Sequence, residues 1–168
     1  MGGADIHALV RNLINALGYA SFGTGALEIA LNCPLTFNFN TLLADLGTPN
    51  LEKWLVIVAS VIMTTVQMQD MEDQEGDAQR GRLSVPVQFG DVPARWSVAI
   101  PMLFWGFFCP YFWQLTWPGY VVCISLAYTV AYRVLAFRSV LEDKATFRIW
   151  NLWVISLYFL PLIRSLPL

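Results

Sequence analysis

The sequence predicts an all-α, polytopic membrane bundle of about five transmembrane helices. Three observations carry that expectation. Of the 168 residues, 57% are hydrophobic and only 13% are charged. Mean hydropathy is +0.54, more apolar surface than a water-soluble domain of this size can hide. The apolar residues also fall in successive runs, each approaching the roughly 20 residues needed to cross hydrocarbon. Residues 1–168 therefore read as one membrane domain with the lipid bilayer as its partner. The net charge of −2 offers no basic footprint and excludes nucleic acid. Cys33, Cys109 and Cys123 have no paired spacing, so neither a disulfide framework nor a zinc site is expected. His7 has no ligand companions and reads as a packing or interfacial residue.

Taken in order, the N-terminal MGGADIHALV lacks the basic region of a secretory signal, and Ile6 occupies the position where myristoylation wants Ser or Thr. It reads like the interior of a longer protein. The first helix is expected over Asp5 to Leu31, weakly hydrophobic and interrupted by Gly18, Gly23 and Gly25. Ala16, Ala20 and Thr24 form a small-residue row suited to close helix approach. Asn12, Asn15 and Tyr19 share one face, which serves either interhelical hydrogen bonds or the lining of a substrate cavity. Asn32 to Asn50 is a loop by its Asn, Pro, Thr and Gly content. A second helix runs from Leu51 to about Gly76. The third span, Trp96 to Trp113, is expected to bend or break near Pro101 and Pro110. A turn at Thr116–Gly119 leads to a fourth span, Tyr120 to about Ala136, and a fifth covers Phe147 to Leu162. Trp96, Trp113, Trp117, Trp150 and Trp153 fall near span ends, as an aromatic belt would place them.

The charged segment 66–95 interrupts this apolar pattern. Within it Asp70, Asp73 and Asp77 stand at i, i+3 and i+7, within about 60° of arc on an α-helix. Glu72 and Glu75 point to the other side. Such a run is often no more than a solvated loop. Three carboxylates on one face, however, repel one another unless a cation lies between them, and hard oxygen ligands suit Mg²⁺. Gly76 and Gly81 loosen the helix end, and Arg80 and Arg82 follow as candidate phosphate donors. Looking back from Asp70, Val66, Met63 and Ala59 share its face and would line an apolar path beneath a bound diphosphate.

The string Q-D-x-x-D-x-E-G-D-x-x-x-G-R-x-S-x-P, Gln69 to Pro86, resembles the second aspartate-rich motif of the UbiA superfamily of membrane prenyltransferases. The likeness is greatest to branches with fungal members that make terpenoids, some of which cyclise their substrate. The resemblance implies about nine transmembrane helices around a central cavity, with the five spans here similar to the fifth to ninth. It implies Mg²⁺ as cofactor and an isoprenyl diphosphate as substrate, ionised to an allylic cation that passes to an aromatic or other prenyl acceptor or is cyclised. Asp70, Asp73 and Asp77 match the metal-ligand and catalytic positions; Arg82 lies where a basic residue often follows. The family's first motif, of the N-D-x-x-D type, is absent from these residues, and Asp45 and Glu142-Asp143 do not replace it. The chain therefore resembles the C-terminal half of a prenyltransferase. Three readings follow: a prenyltransferase in terpenoid or meroterpenoid biosynthesis, a terpene cyclase, and a truncated remnant or half-enzyme that a second chain completes with the first motif.

Five spans also fix which loops share a side. Arg11, Arg80, Arg82, Arg95, Arg133, Arg138, Lys144 and Arg148 fall on one, Lys53 and Arg164 on the other, eight of the ten basic residues against two. The positive-inside rule then turns the aspartates to the cytosol, at the endoplasmic reticulum in a eukaryote.

Overall fold

A computed structural model of the chain describes residues 7–32, 34–35 and 50–165. The expectations placed on Asp5, Ile6, Cys33 and Asp45, and on most of the loop from Asn32 to Asn50, lie outside the described residues. Every regular element among the described residues is helical: α1 (Ala8–Leu31), α2 (Leu51–Thr65), a 3₁₀ segment (Val66–Asp73), α3 (Gln74–Gln79), α4 (Val85–Phe89), α5 (Asp91–Phe112), α6 (Trp117–Ala136) and α7 (Val140–Ser165). Side-chain caps fix two of the starts. His7 Nδ1 accepts from the Leu9 amide at 3.3 Å, and Asn50 Oδ1 accepts from the Lys53 amide at 2.8 Å, each satisfying an orphan donor of a first turn.

Four stretches among the described residues are long and apolar enough to cross a membrane: Leu51–Gln79, Asp91–Phe112, Trp117–Ala136 and Val140–Arg164. The first helix, 24 residues long, is not one of them. Its length of about 36 Å suffices, but Arg11, Asn12, Asn15 and the interspersed Gly and Thr dilute its apolar content. It runs unbroken through Gly18, Gly23 and Gly25 and packs along α2. From there α2 packs on α5, α5 on α6 and α6 on α7, and α7 returns to the 3₁₀ segment. That segment also touches α1, α2, α3, α4 and α5. Its neighbours, rather than its own propensity, hold it.

Two expectations are corrected in the long helices. The helix α5 starts earlier than predicted, at Asp91, and continues through both Pro101 and Pro110. A proline lacks the N–H that would bond the carbonyl four residues back, which leaves the Ser97 carbonyl open. Gln67 Nε2 donates to that carbonyl at 3.2 Å and to Ser97 Oγ at 3.1 Å. A neighbouring helix thus satisfies the freed group, as apolar surroundings demand. The tryptophan belt is only partly realised. Trp96 and Trp117 are exposed, but Trp113, Trp150 and Trp153 are buried. Trp150 Nε1 donates to Thr65 Oγ1 at 3.1 Å and so serves the core.

The helices converge at the aspartate end through Arg95. Its guanidinium is 2% exposed and meets Asp143 through two parallel bonds of 2.8 Å, while Nε reaches Asp91 Oδ1 at 2.8 Å. It also donates to the carbonyls of Val134 and Phe137 at 2.9 and 3.1 Å, closing the C-terminal end of α6. One side chain therefore joins the start of α5, the end of α6 and the start of α7. At the middle of the bundle, a Cβ on Gly106 would come within 2.6 Å of the Ala127 Cβ, so α5 and α6 approach closely only because glycine stands there.

Candidate active site at the helix-end carboxylates

The helix expected from Leu51 to Gly76 is not continuous. Its α-helical part ends at Thr65, whose backbone turns away at φ −127° and ψ −12°. Side chains compete for the carbonyls that would carry the ladder onward. Gln67 Nε2 donates to the Thr64 carbonyl at 2.9 Å, and Asn12 Nδ2 to the Met63 carbonyl at 3.3 Å. Asn12 also donates to Gln67 Oε1 at 2.9 Å, tying α1 to this break. The next eight residues wind as a 3₁₀ helix, three residues per turn, so the α-helical arc calculated from i, i+3 and i+7 does not apply.

The aspartates divide accordingly. Asp70 and Asp77 turn inward, each 2% exposed. Asp73 lies at the joint between the 3₁₀ segment and α3 and is 54% exposed. It lines a cavity of about 350 Å³ together with Glu72, Glu75, Asp91, Arg95 and Arg138. The expected contrast between an aspartate face and a glutamate face therefore holds for Asp70 and Asp77 but not for Asp73. Gly76 is part of the reason. A Cβ there would collide with the Asp73 carboxylate, which leans back over the helix to meet Arg80.

Arginines join the three carboxylates. Arg11 Nη2 lies 2.7 Å from Asp70 Oδ1, and its Nη1 lies 3.6 Å from Asp77 Oδ2. Arg80 pairs with Asp73 and reaches Asp77 Oδ1 at 3.1 Å, and Arg82 Nη1 reaches the same oxygen at 3.3 Å. The Arg80 guanidinium is held above its ordinary range, by the Asp73 hydrogen bond first and Asp77 next. Gly81 makes this arrangement possible. At φ 65° it occupies the left-handed region, where its amide bonds the Ala78 carbonyl at 3.1 Å and the Arg82 amide returns to the Asp77 carbonyl at 2.9 Å. Those paired bonds close α3 firmly and carry Arg82 back over Asp77. Gly81 terminates the helix rather than loosening it.

The remaining predicted residues are placed as follows. Asn12 makes the interhelical bonds above and also lines an apolar cavity of about 540 Å³ with Met63, Gln67, Phe89, Trp96 and Ile100. Asn15 has a buried Nδ2 with no hydrogen-bond partner. Tyr19 packs against the core. Of the three apolar residues expected beneath Asp70, Met63 lines this cavity, whereas Val66 is fully buried and Ala59 is half-buried outside its lining. Arg11 and Arg95 were not among the predicted site residues. The available signal was general: an arginine within an apolar helix has to find a carboxylate or a carbonyl.

Two carboxylates with a spare oxygen suit one cation better than three would. Among the described residues, no three His, Cys, Asp or Glu side chains gather as a metal-holding group. Asp70 Oδ2, however, is buried and has no hydrogen-bond partner, and Asp77 is joined to Asp70 through Arg11. Mg²⁺ commonly takes one or two carboxylates and completes its shell with water and phosphate oxygens. The donor set fits that pattern.

The fold and this site define an integral membrane helix bundle with a buried carboxylate–arginine cluster at one end. Residues 7–155 match the model of the UbiA prenyltransferase family, and the chain belongs to that family. It is similar to the Somaliensene A/B synthase of Streptomyces somaliensis, 27% identical over 174 residues that cover 98% of this chain and 52% of the relative. It is likewise similar to the Fumagillin beta-trans-bergamotene synthase af520 of Aspergillus fumigatus, 27% identical over 170 residues covering 98% and 53%. The chain thus spans about half the length of the curated relatives it matches. No solved structure matches it.

Proposed function

We propose that this chain forms the second metal-binding half of a Mg²⁺-dependent membrane enzyme that ionises an isoprenyl diphosphate in terpenoid biosynthesis. The observation that carries the reading is the buried Asp70–Asp77 pair, with Arg80 and Arg82 beside it, on a segment that resembles the family's second motif and lies within the residues that match the family. Asp70 and Asp77 would hold the cation together with diphosphate oxygens, and Asp73 would hold Arg80 in place from outside. When bound, Mg²⁺ supplies the positive charge that draws electrons onto the departing diphosphate. Arg80 and Arg82 orient that group through charge-assisted bonds. The apolar cavity, whose lining includes Gln67 one 3₁₀ turn before Asp70, would take the prenyl chain and keep water from the allylic cation. Partner residues of the N-D-x-x-D type would complete the site, from the same polypeptide or a second one.

Transfer to an aromatic or other acceptor and cyclisation without one are the two fates of that cation. Both relatives named above are synthases, which favours cyclisation as strongly as the family's name favours transfer. The aspartate end would face the cytosol, where prenyl diphosphates are found, at the endoplasmic reticulum in a eukaryote.

The test uses membranes containing this chain together with a half that bears N-D-x-x-D. Diphosphate release from geranyl or farnesyl diphosphate is followed with Mg²⁺ present. Asp70→Asn and Asp77→Asn should each reduce the rate by about two to three orders of magnitude, the usual loss for a preorganised charge contact. Glu75→Gln, exposed on the far side, should cost less than about tenfold. Equal losses at Asp70 and Glu75 would mean a diffuse acidic patch and remove the site. Product analysis with and without an aromatic acceptor separates transfer from cyclisation.

A further inference from the structure

Two arginines of this chain sit against buried carboxylates, and they are bonded differently. Arg95 closes both forks on Asp143, at 2.8 Å each, and its remaining donors find carbonyls and Asp91. This is what a settled structural ion pair looks like in an apolar setting, where unmade bonds are costly. Arg11 makes only half of such a pair. Its Nη2 bonds Asp70 Oδ1 at 2.7 Å. Its Nη1 is buried and lacks a hydrogen-bond partner, with Asp77 Oδ2 at 3.6 Å. The facing carboxylate is equally incomplete, because Asp70, 2% exposed, leaves Oδ2 buried and unpartnered.

The oxygens left over form a set. The Oδ1 atom of Asp77 belongs to Arg80 and Arg82. If Arg11 withdraws, both oxygens of Asp70 and Oδ2 of Asp77 become available together, a hard-oxygen donor set of the kind Mg²⁺ and Mn²⁺ take. Arg11 reaches the pair from α1, on a different element from the carboxylates, so its side chain can swing away while Asn12 keeps α1 bonded to Gln67 of the 3₁₀ segment. A released guanidinium beside the cation has the planar fork that matches phosphate oxygens.

We propose that Arg11 is a displaceable cation of the diphosphate site: it neutralises Asp70 and Asp77 before the metal enters, then hands them over and binds diphosphate through its guanidinium. The proposal rests on the reading of Asp70 and Asp77 as metal ligands. Arg11 is in that case both a competitor of the free metal and a ligand of the metal–diphosphate pair. A purely structural arginine would be neither.

The experiment is direct Mn²⁺ binding, read by electron paramagnetic resonance on the purified chain in nanodiscs, with and without inorganic pyrophosphate. Arg11→Gln should bind Mn²⁺ about tenfold or more tightly than the parent, since a competing charge in contact with a ligand has gone. Pyrophosphate should strengthen Mn²⁺ binding in the parent and do so roughly tenfold less in Arg11→Gln. Unchanged or weaker Mn²⁺ binding by Arg11→Gln, with the parent binding and Asp70→Asn not, would overturn the displacement and leave the carboxylate reading standing. Tighter Mn²⁺ binding with undiminished pyrophosphate coupling would overturn the handover. Failure of both parent and Arg11→Gln to bind would overturn this proposal alone, since the function reading has N-D-x-x-D residues complete the site, whereas binding by Asp70→Asn equal to the parent's would overturn this proposal and the function reading together. Should Arg11→Gln fail to fold, Arg11→Lys serves instead. One ammonium cannot reach both carboxylates as the fork does, so it should bind Mn²⁺ more tightly than the parent, and weaker binding would count against displacement.

Discussion

At the scale of single residues, Arg95 shows how a charge is kept inside an apolar bundle. It is matched bond for bond by Asp143, Asp91 and two helix-end carbonyls. Removing one member leaves the other buried without compensation, which commonly costs 3–5 kcal/mol, whereas replacing both with apolar residues of like size is often neutral. Arg95→Ala should therefore destabilise the chain by roughly 3–5 kcal/mol in detergent unfolding, and Arg95→Met with Asp143→Leu should recover much of that loss. A double variant as unstable as the single one would show that the carbonyl bonds, not the ion pair, carry the joint. None of this was legible in the sequence. Arg95 and Asp143 are 48 residues apart, and hydrophobic patterning says nothing about which charge meets which. Asp70, Asp73 and Asp77 could be picked out because their spacing and local string are short-range features. Their division into an inward pair and an outward member could not.

That division belongs to the element. The pattern of apolar residues rightly separates the long helices, because each must present a continuous apolar surface whatever its neighbours. It does not reveal where an α-helix tightens into 3₁₀. Here the change follows from Gln67 and Asn12 taking the carbonyls of Thr64 and Met63, and Gln67 is itself anchored by the carbonyl that Pro101 leaves free. Reading Pro101 as a bend or a break in the helix left out this role, since a proline's effect depends on whether another helix supplies the missing donor. Gly81 is the opposite case, a local device with a visible signal, as a glycine just past a charged helix end commonly closes it. Gly81→Ala should cost about 1–2 kcal/mol, the penalty for a Cβ in the left-handed region, and should swing Arg82 away from Asp77. Gly81→Asn should cost less, because Asn tolerates that region. Thermal unfolding measures the first effect. A rise in the substrate concentration required, larger than any fall in maximal rate, measures the second. Equal Tm values for the parent and Gly81→Ala would contradict the closing role of this glycine.

At the scale of the whole molecule, the ion pairs turn a charge count into an arrangement. Arg11, Arg80 and Arg82 meet the aspartate segment, while Arg95, Arg133 and Arg138 meet Asp143, Glu142 and Asp91. These bonds place the basic residues of α1, α5 and α6, and of the turns after α3 and α6, at one end of the bundle, even though α1 by composition is not among the four crossing candidates. The eight-to-two asymmetry does not depend on α1 meeting the composition of a crossing helix, because the segment after α2 and the turn after α6 are separated by two antiparallel crossings and share a side in either case. Such a bias fixes orientation when the charges lie within short loops. The aspartate end should therefore face the cytosol. With Cys33 replaced by Ser, and Cys109 and Cys123 buried, a cysteine at the exposed position Gln79 should react with an impermeant thiol reagent only from the cytosolic side. One at Thr116, exposed at the far end of α5, should react only from the opposite side. Labelling of both positions from one face would break the antiparallel path of α2 and α5. Exchange of the two patterns would keep the fold but turn the proposed diphosphate site away from the cytosol.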